Sequence, residues 1–304
     1  YELGRSYMML ERWDESRASF EKSLELEPAQ PNAYTSLGTT SLQNGDGIGF
    51  VSNFLKAISI DPKDHELPGL LALFLYQLGL VEEADDFRER VLTLAPRSEN
   101  AYQIEMLRAI SLGDDEGSIA AARRAIEDDI ADRRFAFGGA LQHLLRRSVR
   151  EERIDEELAW IDEQAPEILD VDAPRVSQKY RTVQGVAFDA WIHTLEPAEV
   201  QRRLDLLLDF VATLGFEPKD NPGFHVNVLL IRGDTDKAIE VALESVLTES
   251  VAKHLNWRDT FGQPLYAVLT KDPRVQDALA RWVDEEAALR GSVQSYFADL
   301  SAST

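Results

Sequence analysis

The chain has 304 residues, 54 acidic against 32 basic side chains, a net charge of −22, 44% hydrophobic residues and no cysteine. That length exceeds one compact core, so two domains or an extended repeat array is expected. The acidic excess argues against phosphate backbones and anionic lipid as partners, no apolar run reaches the roughly 20 residues that cross a bilayer, and a cysteine-free chain has no disulfide framework, thiol nucleophile or thiolate metal site.

In chain order, apolar residues at helical spacing run from Leu3 to Leu10, from Ala33 to Leu42 and from Leu67 to Leu78. Each is followed by a second amphipathic stretch: Phe20 to Pro28, Phe54 to Pro62 and Phe87 to Pro96. Those prolines recur at 34-residue intervals, and each stops its helix because proline has no N–H for the helical ladder. Turn sequences such as Asn44 to Gly47 separate the paired helices. The sequence opens on Tyr1 within a helix already under way, so the chain is expected to be a piece of a longer one, and a cytoplasmic location is the expectation for what is present.

The pattern resembles the tetratricopeptide-repeat family. Leu3, Gly4, Tyr7, Ser16, Phe20, Ser23 and Pro28 match its signature in the first repeat. Tyr34, Leu37, Gly38, Phe54, Ala57 and Pro62 match it in the second, and Leu71, Ala72, Leu75, Gly79, Ala84 and Pro96 in the third. A worn fourth keeps Tyr102, Gly113, Ala122 and Ala125, with Ile130 in the place of proline. The resemblance implies an all-α fold of antiparallel helical hairpins stacked into a right-handed superhelix, with small residues (Gly4, Gly38, Ala72) where paired helices approach most closely. Residues 1–130 are read as four repeats and 131–304 as degenerate hairpins with a C-terminal capping helix.

Past residue 130 the period fades while helical hairpins continue. Arg134 to Val149 pairs with Ile154 to Ile168, and a stripe from Val176 to Trp191 pairs with a helix that begins at Pro197 and ends before Gly215. Gly223 to Ile231, the turn at Gly233 and Asp236 to Leu247 form another pair, and Asp272 with Pro273 starts a last helix reaching about Leu300, expected to cap the array. The segment from Gln263 through Tyr266, Asp272 and Pro273 to Leu279 is similar to the end of repeat regions attached to bacterial nucleotide cyclases and winged-helix regulators.

Little in the sequence points to catalysis. The histidines His65, His143, His193, His225 and His254 stand singly, so neither a metal nor another cofactor is expected. Gly45 to Gly49 lacks the strand and lysine of a phosphate loop and reads as a turn. No carboxylate pair is marked as polarised, and no residue is assigned catalytic work. Arg146, Arg147 and Arg150, together with Arg123, Arg124, Arg133, Arg134 and Arg153, form a basic cluster that is either an anion patch or a set of ion pairs with neighbours such as Glu127, Asp128, Glu151 and Glu152.

The resemblance implies that the first helices line a concave face that takes a peptide or a partner helix. Carried onto this register, the groove positions are Arg5, Met8, Asn32, Thr35, Thr39, Leu42, Gln43, Leu73, Tyr76, Gln77, Asn100, Gln103, Leu107 and Ile110. Their mixture of neutral-polar and apolar side chains suits an amphipathic helix or an extended apolar peptide. A protein-binding scaffold is the leading expectation, with the regulatory part of a larger signalling protein as the alternative and an enzyme a distant third. Self-association through the Tyr1 to Leu10 end is expected of an open array.

Overall fold

In the computed structural model, residues 1–132, 138–170 and 192–303 are described, and every regular element among them is helical. The first three hairpins pair α1 (Glu2–Met9) with α2 (Trp13–Leu26), α3 (Pro31–Gln43) with α4 (Gly47–Ile60), and α5 (Glu66–Gln77) with α6 (Val81–Leu94). After them come α7 (Glu99–Ser111), α8 (Asp115–Asp132), α9 (Gly138–Arg150) and α10 (Ile154–Gln164). The later elements are α11 (Pro197–Thr213), α12 (Pro222–Ile231), α13 (Thr235–Val241), the short α14 (Trp257–Phe261) and the long α15 (Pro273–Ser303).

Local chemistry explains the punctuation. Pro31, Pro197 and Pro222 stand in the first turn of their helices, where a missing N–H costs nothing. Asp46 caps α4 by accepting the Gly49 N–H at 2.8 Å, so the glycine-rich run is a helix start that follows the turn at Gly45. Gly45 and Gly79 take φ of +77° and +71° where one helix of a hairpin gives way to the next, a conformation a Cβ would strain. Two readings shift at their ends: the helix from Ile154 stops at Gln164, with Pro166 opening a separate short turn, and the helix from Thr235 passes at Ala242 into a π segment that runs to Val246. The stripe from Val176 to Trp191, Arg133, Arg134 and the His193 side chain lie outside the described residues.

Within each of the first two hairpins a glycine faces an aromatic ring. A Cβ on Gly4 would stand 2.7 Å from Phe20, and one on Gly38 would stand 2.9 Å from Phe54. Both rings are buried, so the glycines set the helix separation at each crossing.

Two compact units divide the chain: residues 1–111, 249–257 and 279–304 form the first, and 112–248 with 258–278 the second. The core of the first joins Phe50, Phe54, Leu71, Phe74, Leu75, Tyr76 and Ile104 with Val293 from α15. From Leu279 onward the last helix belongs to the same unit as the N-terminal hairpins, because its apolar stripe finds its partners in that core. In the second unit, Ile192, Leu204 and Val228 form a smaller cluster. Among the described residues no helix is long and apolar enough to cross a membrane.

Candidate partner-binding face

The positions read as a groove all fall in the first unit, and the structure sorts them by exposure. Arg5, Asn32, Gln77 and Ile110 are exposed, while Met8, Thr35, Thr39, Leu42, Gln43, Asn100, Gln103 and Leu107 are half-buried. The Thr35 and Thr39 hydroxyls donate back to the Pro31 and Thr35 carbonyls at 3.0 Å each, so both are committed within their own helix. Asn100 packs against Gly69, where an added Cβ would stand 2.5 Å from its amide nitrogen. Leu73 and Tyr76 differ from the expectation of an open face: they are 9% and 2% exposed and belong to the core. Leu42 and Leu107 pack against that same core, as do Leu289, Tyr296 and Phe297 of α15.

Tyr76 carries a polar function that its place in the apolar pattern concealed. Its hydroxyl donates to Asp85 of α6, which also accepts the Arg108 guanidinium of α7 at 2.8 Å. Burial, then the Asp85 hydrogen bond, pushes the phenol well above its ordinary range. The Arg108 hydrogen bond outweighs desolvation and holds Asp85 below the usual carboxylate range. Beside this group Arg88 pairs with Glu105 at 2.5 Å, and the Ser111 hydroxyl bridges to the Tyr76 carbonyl at 2.9 Å. Charge spacing alone could have suggested Arg88 or Arg108 as surface ions, but only the packing of α5, α6 and α7 makes them a network.

A cleft of about 630 Å³ opens on the N-terminal hairpin, lined by Tyr1, Leu3, Ala18, Lys22, Leu26 and Gln30 among others. Leu3 and Leu26 are 60% and 79% exposed, whereas Leu37, one period after Leu3, is buried in a hairpin against which α2 packs.

Among the described residues of the arginine cluster in the second unit, Arg123, Arg146, Arg147 and Arg150 pair with carboxylates. Arg146 and Arg150 converge on Asp259 at 3.0 and 2.8 Å, Arg147 pairs with Asp115 and with Glu151 at 2.7 Å, and Arg123 reaches the fully buried Glu157 at 2.5 Å. Burial alone would raise the Asp259 carboxyl, but the Arg150 hydrogen bond and the two guanidinium charges hold it below the usual range. Glu151 is one of the near neighbours the sequence suggested, and it also accepts Arg153, whereas Asp259, Asp115 and Glu157 lie farther along the chain.

His143 lies 3.0 Å from the Ser118 hydroxyl, and burial lowers its pKa. Ser118 is itself buried and donates to the Asp115 carbonyl at 2.8 Å, which withholds it from a substrate. Among the described residues, no group of three or more histidines, aspartates or glutamates could hold a metal ion.

The tetratricopeptide repeat family model matches residues 1–30, which are α1, α2 and the turn that follows them. The N-terminal hairpin is thus similar to a tetratricopeptide repeat. That module builds protein-interaction scaffolds, and the all-helical hairpins that follow at the same period fit the same architecture. Among solved structures, the crystal structure of the P58(IPK) TPR domain is similar at 13% identity, covering 96% of this chain and 98% of that chain with a TM-score of 0.30. No curated protein matches the chain.

Proposed function

We propose that the chain is a protein-interaction scaffold that takes a peptide or partner helix on the face formed by α1, α3, α5 and α7 of its N-terminal repeats. The observation that carries the reading is the run of 34-residue hairpins whose first member matches the tetratricopeptide family and whose first helices keep Arg5, Asn32, Gln77 and Ile110 exposed. Half-buried Thr39, Gln43 and Gln103 add neutral contact area beside them. Such a surface binds through area and a few apolar anchors, with little dependence on charge steering. Leu73 and Tyr76 act beneath this face as support, being buried.

Affinity capture with the full chain tests it, using Thr39→Arg with Gln103→Arg as the paired control. Both positions are partly open to solvent, so the double variant should keep the helical circular dichroism and thermal melt of the wild type. Partners retained by the wild type and lost by the variant support this face as the binding surface. Equal retention by both transfers binding to another surface and ends the proposal.

A further inference from the structure

The C-terminal helix divides into two parts that are held in different ways. In the first, Trp282 is fully buried and its indole N–H donates to the Glu249 carbonyl at 3.0 Å, Trp257 donates to Glu286 at 2.9 Å, and Glu285 accepts the Val251 N–H at 3.2 Å. That part is anchored by directed bonds. From Leu289 to Phe297 the contact is a single apolar stripe: Val293 is fully buried, Leu289, Tyr296 and Phe297 are half-buried, and the other five residues are exposed.

The stripe has the spacing i, i+4, i+7, i+8, which places four side chains on one side of a helix. It enters the apolar cluster of the N-terminal repeats: Leu289 lies against Gly47, and Phe297 meets the Phe87 ring edge-on at 6.3 Å. Leu42, Leu73, Tyr76 and Leu107, four of the positions read from the sequence as a groove, belong to or pack against that cluster. By contrast α5, a structural helix of the same unit, buries nine of its twelve residues. The segment 289–297 is held as a bound helix is held in a groove, by a few anchors along one side. Gly291, exposed in its middle, lowers its intrinsic helicity.

We propose that the apolar cleft of the N-terminal repeats is a helix-binding site whose resident occupant is residues 289–297, and that its partner is an amphipathic helix with apolar residues at i and i+4 and aromatic residues at i+7 and i+8. The inference rests on the scaffold reading and adds the class of partner and its control. The partner displaces the resident stripe while the tryptophan-anchored part of α15 stays in place. Displacement exchanges one apolar stripe for another, so the chain's own helix competes intramolecularly and sets the threshold that a partner must exceed.

The absence of cysteine makes the test clean. A Cβ on Gly47 would stand 3.5 Å from Leu289 Cγ, the place a cysteine sulfur would take, so Gly47→Cys with Leu289→Cys should form a disulfide that locks the helix in its seat. In a second full-length variant, Val293→Asp, the stripe is weakened by a charge. The probe is a fluorescein-labelled synthetic peptide carrying residues 279–303, read by anisotropy. The Val293→Asp chain should bind the peptide at least tenfold more tightly than the oxidised, locked chain, and reduction of the locked chain should restore binding.

Equal affinity in the two, or no binding to either, overturns the proposal. So does loss of cooperative unfolding in Val293→Asp, because the stripe would then be an obligatory part of the core. If the peptide fails in any of these ways while partner capture still depends on Thr39 and Gln103, this inference falls and the scaffold reading stands.

Discussion

The early hairpins of the first unit and the α8–α10 region of the second solve the same packing problem by different means. In the first two hairpins, a glycine under an aromatic ring sets the crossing: Gly4 under Phe20, Gly38 under Phe54. In the α8–α10 region apolar contacts are interleaved with buried charge, since Glu157 is fully buried against Arg123 and Arg146 is 6% exposed against Asp259. Shape complementarity between small and large residues repeats easily from hairpin to hairpin, because each crossing needs only its own two helices. Charge burial does not repeat, because every buried ion needs a specific partner at the right distance. This explains why the 34-residue period is clear up to Pro96 and fades where the buried ions begin.

Substitutions can break that contrast at three levels. The largest effect is expected at Gly38→Leu, where the new side chain must displace Phe54 or part α3 from α4. Overpacking of this kind costs about 1–3 kcal/mol, seen as a lower melting temperature or urea midpoint. A melt equal to wild type would mean that the glycine–aromatic crossing does not set the helix separation.

Asp259→Asn should cost less, about 1 kcal/mol, since it weakens charged hydrogen bonds in a partly open site. Its diagnostic is pH. The folded Asp259 carboxyl titrates below its ordinary value, so its contribution is present above the unfolded value of about 3.9 and is lost as pH falls through the folded one. The stability gap between wild type and Asp259→Asn should therefore be full at pH 7 and close as the solution is taken below about pH 4. A gap that stays constant across that range would remove the ion pairs as its cause.

The smallest effect belongs to Lys22→Gln, which removes the exposed pair with Glu25 at 2.6 Å within the first repeat. Exposed i,i+3 pairs are worth no more than about 0.5 kcal/mol, and salt screens them. A loss well beyond that in urea titration would show that surface charge, as well as shape, holds the hairpins.

Most of the helical scaffold was legible because its signals are local. Pro197 and Pro273 mark helix starts, Gly215 and Gly233 mark turns with positive φ, and the recurring prolines mark the period. The candidate face was legible only in outline. Arg5, Asn32, Gln77 and Ile110 are exposed as the register implies, but Leu73 and Tyr76 are not, and periodicity carries no information about what covers a helix from outside its own hairpin.

The sequence by itself determined the elements: a helix ends at proline or at a left-handed glycine whatever surrounds it, and an apolar stripe must be buried somewhere. Tertiary structure alone decided where that burial occurs. It brought Val293 into the core of the N-terminal repeats, set Asp85 between Tyr76 and Arg108, and joined Asp259 to Arg146 and Arg150 across 113 and 109 residues of chain. Hydrophobic attraction is non-directional and ion pairing depends on distance in space, so neither leaves a mark at fixed spacing along the chain.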